Sequence, residues 1–144
     1  MNSIVTVKPG EPASREGLFL VQHLWNELAG LYGNTGPCQF LPTDVTGPGF
    51  AFVLAWHDGQ AVGCGALKPL MPGVGEIKRM FVEASVRRQG IGREILRTLE
   101  AIARPLGYMT IRLETGIRQP GAIRLYETCG YNRIERYGPF ANAR

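Results

Sequence analysis

The chain has 144 residues, 44% of them hydrophobic and 19% charged, which is enough material for one domain with a continuous core. Its formal charge of +4 favours an anionic partner without naming it. No apolar run approaches the roughly 20 residues that cross a bilayer, and the opening MNSIVTVKPG lacks the basic and apolar segments of a secretory leader.

A cytoplasmic protein with no membrane partner is therefore expected. Cys38, Cys64 and Cys129 are odd in number, widely spaced and form no CxxC pair, so neither a disulfide framework nor a zinc site is suggested. With His23 and His57 as the only histidines, no metal site and no Ser-His-Asp arrangement is expected.

In chain order, Ile4 to Lys8 reads as a short strand ending at Pro9-Gly10. From Pro12 onward, Leu18, Val21, Trp25, Leu28 and Tyr32 recur at helical spacing, and this amphipathic helix should end near Gly33. Residues 33–49 read as a loop. Phe50–Trp56 and Ala61–Leu67 flank His57-Asp58-Gly59-Gln60, where Asp-Gly supplies the positive φ angles of a tight hairpin. The Pro/Gly-rich stretch Lys68–Gly75 reads as a connection to a strand over Glu76–Val82.

A helix follows with the stripe Ile91, Ile95, Leu99, Ile102 and Leu106, stopped by Pro105 and Gly107. Met109–Thr115 alternates as a strand, and Pro120 opens a helix with Ala122, Leu125, Tyr126 and Cys129 on one face and Gly130 as its cap. Tyr131–Tyr137 is a last strand candidate. The order β, α, β, β, β, α, β, α, β is that of an α/β (α+β) protein with a mixed sheet covered by helices.

Between the fourth strand and the second helix lies VRRQGIGR, residues 86–93. A strand that runs through Arg87-Arg-Gln-Gly-Ile-Gly92 into a helix presents unpaired backbone N–H groups at a helix N-terminus, where the macrodipole also favours negative charge. Glycines at 90 and 92 allow close approach of an anion, and Arg87, Arg88 and Arg93 can add charge-assisted hydrogen bonds. A pyrophosphate suits such a site. The GxxxxGK[ST] loop is absent, and GxGxxG fails because position 95 is Ile. Taken alone, the same residues also fit a helix start with a solvated basic face. A nucleic-acid surface is not expected, since no aromatic-interleaved basic patch or recognised motif accompanies the arginines.

In context, Arg87-x-x-Gly90-x-Gly92 is similar to the acetyl-CoA signature of the GCN5-related N-acetyltransferase (GNAT) superfamily. EIKRMFV before it, LETG at 113–116 and AIRLYETCGY at 122–131 resemble that superfamily's segments in order and spacing, and FVLAWHDGQAVGCGAL resembles its second and third strands. The resemblance covers about residues 50–137. It implies a mostly antiparallel sheet of about six strands flanked by three to four helices, splayed between the fourth and fifth strands, in a single domain over 1–144. Relatives usually continue past a segment like YGPFA into another strand, so a missing final strand is expected, which would leave an exposed sheet edge or invite a partner to cover it, a homodimer being one such arrangement.

The resemblance further implies that acetyl-CoA is the co-substrate. Its pyrophosphate would lie against Arg87, Arg88, Gln89, Gly90, Ile91, Gly92 and Arg93, and its pantetheine arm against the backbone of Met80, Phe81 and Val82. Gln119 stands where relatives often carry an asparagine that contacts the cofactor. Glu76 matches the position of a general base, and Tyr126 that of the acid which protonates the departing thiolate. Read from the residues alone, Glu76 equally fits an ion pair with Lys78, and Tyr126 equally fits core packing. The implied activity is direct acetyl transfer to a primary amine on a small molecule or peptide; a non-catalytic acyl-CoA sensor is the alternative.

Overall fold

The computed structural model describes residues 4–33, 36–115 and 119–134. They fall into two compact units, residues 1–114 and 115–144.

In the first unit five strands form one open sheet in the order β1-β2-β3-β4-β5. These are β1 (Val5–Pro9), β2 (Ala51–His57), β3 (Gln60–Met71), β4 (Val74–Val82) and β5 (Thr110–Leu113). The first four pair antiparallel in sequence, and β4 and β5 pair in parallel. The expected mixed, mostly antiparallel sheet is therefore present. Asp58 at φ 52° and Gly59 at φ 78° supply the two left-handed positions of the β2–β3 turn, as the sequence predicts.

Helix α1 (Arg15–Tyr32) starts on Ser14, whose side chain accepts from the Gly17 N–H, and ends on Gly33 at φ 74°. Helix α2 (Ile91–Ala103) buries Ile91, Ile95, Leu96 and Leu99. The two helices cover opposite faces. Leu20 and Leu24 of α1 pack with Phe52, Leu54, Cys64, Ala66 and Phe81. The alternate residues Gly63 and Gly65 turn their other side to Ile95 and Leu99. A Cβ at Gly65 would stand 2.8 Å from Ile95 and 3.0 Å from Leu99, so the missing side chain is what lets α2 settle on the sheet.

Several expectations need correction. The buried stripe of α1 runs through Leu20, Leu24 and Trp25, while Leu18 and Tyr32 are about half exposed, because the sheet faces the helix one position away from the stripe read in the sequence. Residues 68–75 are not a free connection: β3 and β4 continue to a turn at Pro72-Gly73. Pro69 is tolerated because β2 pairs no further than Leu67, so β3 has one neighbour there, and the register shifts beside it. Leu106 lies beyond the end of α2 and is exposed. Met109 precedes β5 and is exposed.

The second unit holds α3 (Pro120–Thr128), with Gln119 at its N-cap and Pro120 in its first turn. Gly130 follows at φ 93°. The Tyr131 N–H donates to the Tyr126 carbonyl, and the two rings meet edge to face, 6.1 Å apart. Tyr131–Ile134 form no strand, so the described sheet has five strands against the six expected; residues 135–137 of that expectation lie outside the described residues.

Candidate functional site

The parallel ladder of β4 with β5 runs from Val74↔Thr110 and ends at Ile77↔Leu113. From Lys78 to Val82 the described residues give it β3 alone as a neighbour. The pairing of the fourth and fifth strands thus stops at the middle of β4. A bulge follows at once: Arg79 stands at φ 57°, and the register against β3 shifts between Cys64 and Ala66. A non-glycine residue held there costs about 1–2 kcal/mol, so the neighbourhood has to fix it.

It does so from both ends of the residue. The Arg79 guanidinium donates to Asp44 at 3.1 Å and lies 3.9 Å over the Phe40 ring, pinning the 36–45 segment to the sheet. Its carbonyl accepts from the Cys64 thiol at 3.2 Å. Burial pulls the Arg79 pKa down from its ordinary value, against the pull of Asp44. Desolvation pushes the fully buried Cys64 thiol up to about 12. Such a thiol stays protonated at neutral pH and makes a poor nucleophile.

Beyond the bulge, the Glu83 N–H donates to the Val62 carbonyl at 2.8 Å. By strand alternation the Val82 backbone groups therefore point away from β3, toward the edge that no other described strand pairs. Phe81 is buried, and Met80 and Val82 are half-buried.

The chain then enters the glycine loop. Arg88 at φ 65° and Gly90 at φ 82° are both left-handed. Gly90 is the N-cap of α2 and caps it with no side chain. The first intrahelical bond runs from the Glu94 N–H to the Gly90 carbonyl, so the amides of Ile91, Gly92 and Arg93 have no acceptor within the helix. Apart from its neighbours in the chain, no described residue comes within 4 Å of the place a Gly90 Cβ would take. Arg88, Gln89, Gly90 and Arg93 are exposed, Gly92 is half-buried, and Ile91 anchors the turn in the core. These groups form an open cradle of N–H donors with cations at its rim, which fits a phosphate group.

Arg87 is differently employed. Its Nε donates to the Val82 carbonyl at 2.8 Å, its terminal nitrogen pairs with Glu27 of α1, and the guanidinium lies 5.6 Å from the Phe81 ring centre.

Glu76 is 5% exposed and sits one rung before the β4–β5 ladder ends, opposite Lys68 on β3 and Arg112 on β5. Its Oε1 lies 3.7 Å from the Lys78 ammonium, so the ion pair considered from the sequence is present. In the second unit Tyr126 is 8% exposed, and burial pushes its phenol up to about 12, which keeps the proton on oxygen at neutral pH. The Gln119 side chain lies 3.5 Å from the Thr115 hydroxyl.

Residues 19–131 match the Acetyltransferase (GNAT) family. The chain belongs to that family. It is 33% identical over 137 residues to an IAA acetyltransferase of Azospirillum brasilense, an alignment covering 94% of this chain and 90% of that protein. It is also 39% identical over 101 residues to the uncharacterized N-acetyltransferase YsnE of Bacillus subtilis (strain 168), covering 68% of this chain and 64% of the relative. Against mouse N-acetyltransferase 8 the identity is 30%, and the alignment covers 80% of this chain and 53% of the mouse protein.

Among solved structures, a candidate acyl-CoA N-acyltransferase from Klebsiella pneumoniae superposes with a TM-score of 0.78 at 30% identity, covering 97% of this chain and 91% of the other. An aminoglycoside N-acetyltransferase, AAC(6')-Iy, solved in complex with CoA, shares the fold at a TM-score of 0.70 and 15% identity, covering 96% and 94% of the two chains. The resemblance to the GNAT superfamily is thus upheld, and acetyl transfer is the family's chemistry.

Sequence reasoning missed the partners that hold the site. Arg79 with Asp44, Arg87 with Glu27, and His23 with Glu83 are 35, 60 and 60 residues apart, and no local pattern announces them. A positive φ at an arginine inside a strand likewise leaves no trace in composition.

Proposed function

We propose that this GNAT protein moves the acetyl group of acetyl-CoA directly to a primary amine of a small molecule or peptide. The observation that carries the reading is the open N-terminus of α2. Three unpaired amides, a left-handed Gly90 with free space beside it, and Arg88 and Arg93 at the rim offer donors where a pyrophosphate would bind.

In this reading the amides of Ile91, Gly92 and Arg93 hold the phosphates, and the backbone of Met80, Phe81 and Val82, with the Val82 N–H directed to the edge, aligns the pantetheine arm. Acetyl-CoA supplies a thioester whose carbonyl carbon accepts the amine nitrogen; a C–N bond forms and the C–S bond breaks. Glu76 takes the proton that the acceptor nitrogen gives up, directly or through water, while Lys78 keeps its carboxylate oriented. Tyr126, protonated to about pH 12, delivers the proton that neutralises the departing sulfur. Cys64 takes no part, because its thiol is buried and hydrogen-bonded to Arg79. Gln119 is assigned a lesser contact to the cofactor.

The test is calorimetric titration with acetyl-CoA beside ATP, on the parent protein and on Gly90→Asp. One-site binding is expected for the parent. Loss is expected in the variant, where a carboxylate and a side chain enter a left-handed position facing the phosphates. Equal binding by both proteins would overturn the site. Binding without thiol release from any member of a primary-amine panel would replace the enzyme by an acyl-CoA sensor.

A further inference from the structure

Helix α1 carries Phe19, His23 and Glu27 at four-residue intervals, and the connection from β4 to α2 carries Glu83 and Arg87 at the same interval. The two sets meet in pairs. His23 Nδ1 lies 2.8 Å from Glu83 Oε1, and Glu27 pairs with Arg87, while Phe19 packs on the His23 ring with centroids 4.1 Å apart. The polarity alternates, since the acid is on the connection in one pair and on α1 in the other. A slip of α1 by one turn toward the loop would set His23 against Arg87, so the pattern specifies one register.

Arg87 divides its fork. Nε closes on the Val82 carbonyl at the end of the strand, and the terminal nitrogen reaches α1. Between Arg87 and the helix stand the left-handed Arg88 and Gly90, whose dihedrals decide where the amides of 91–93 point. A segment with such dihedrals needs external contacts to hold it. Among the described residues, the side-chain anchors within this loop are those of Arg87.

We infer that Glu27, backed by His23 and Glu83, is a positioning element for the cofactor loop: it acts through Arg87, which serves as a strut holding the pyrophosphate amides in place, not as a phosphate ligand. This rests on the assignment of the α2 N-terminus to acetyl-CoA. It also ties the loop to α1, so a change in α1 would be felt as a change in cofactor affinity.

The experiment is a double-mutant cycle of Glu27→Ala and Arg87→Ala, with dissociation constants for acetyl-CoA measured by calorimetry and for S-acetylpantetheine, which lacks the pyrophosphate, by ligand-observed NMR. Glu27→Ala should weaken acetyl-CoA binding about fivefold, and the double variant should be scarcely weaker than Arg87→Ala alone, because both residues work through one contact. S-acetylpantetheine affinity should not follow.

Additive losses would make Arg87 an independent phosphate ligand and overturn the inference, as would parent-like acetyl-CoA affinity in Glu27→Ala. An equal loss for both ligands would also overturn it, by showing general damage to the fold. His23→Ala, which leaves Arg87 and Glu27 untouched, should shift the same constant in the same direction by a smaller factor. Failure of the parent protein to bind acetyl-CoA would remove the underlying assignment as well, whereas binding by the parent with an unresponsive Glu27 removes the strut alone.

Discussion

Burial acts in the same direction on two weak acids, Tyr126 and Cys64. Desolvation raises both to about 12. For a phenol proposed to give up a proton to sulfur this secures the protonated form, and on that proposal Tyr126→Phe should lower kcat by about 10²-fold with the acetyl-CoA KM little changed, as steady-state thiol release would register. For a thiol the same shift abolishes reactivity. Iodoacetamide at pH 8 should label the half-buried Cys38 and Cys129 while sparing Cys64, as peptide mass spectrometry would read.

Cys64 also leaves a signature in stability. Its folded pKa lies above the ordinary 9.0, so between about pH 9 and 12 the folded state holds a proton that the unfolded chain has lost. The stability contributed by the neutral thiol is full below pH 9 and drains away as pH rises. Melting temperatures of the parent should therefore fall more steeply from pH 8 to 10.5 than those of Cys64→Ala, and parallel curves would contradict the assignment. Glu76, by contrast, was readable from the sequence in two ways. The structure gives it the Lys78 ion pair and a buried place one rung before the β4–β5 ladder ends, while its role as a base stays a proposal.

Among elements, β3 and α2 decide how close the helix comes to the sheet. Gly63 and Gly65 leave room for Ile95 and Leu99, and a methyl group at 65 would also stand 2.9 Å from the Met80 sulfur. Gly65→Ala should cost about 1–3 kcal/mol of unfolding free energy in urea titration, because a well-packed interface accepts added volume only by shifting. α2 itself was legible: alternating glycines, an apolar stripe with arginines opposite, and Pro105 past its end form a local code. α1 was legible as a helix but not in its facing. Leu18 and Leu20 are equally apolar, and only the position of the sheet makes Leu20 buried and leaves Leu18 exposed. β3 and β4 run longer than expected because a proline that breaks a central strand does no harm where one neighbour has already ended.

At the scale of the molecule, the charge of +4 is not spread evenly in function. Arg88 and Arg93 stand exposed at the cradle, and the affinity for acetyl-CoA should fall as NaCl rises from 50 to 500 mM, because screening shortens to a few ångströms over that range. A salt-independent constant would place the phosphates away from these arginines. No described helix is long and apolar enough to cross a membrane.

The sequence by itself determined the element order from β1 to α3, the Asp-Gly hairpin and the glycine-capped helix, because each depends on residues within one turn or one hairpin of each other. It also carried the resemblance to the GNAT family, whose glycine motif is a single local stretch. Only the tertiary structure decided which face of α1 is buried, where β4 bulges and parts from β5, and that Arg87 is held by Glu27. Those features are set by contacts across tens of residues of chain, where closure of the fold brings together groups that no local spacing relates.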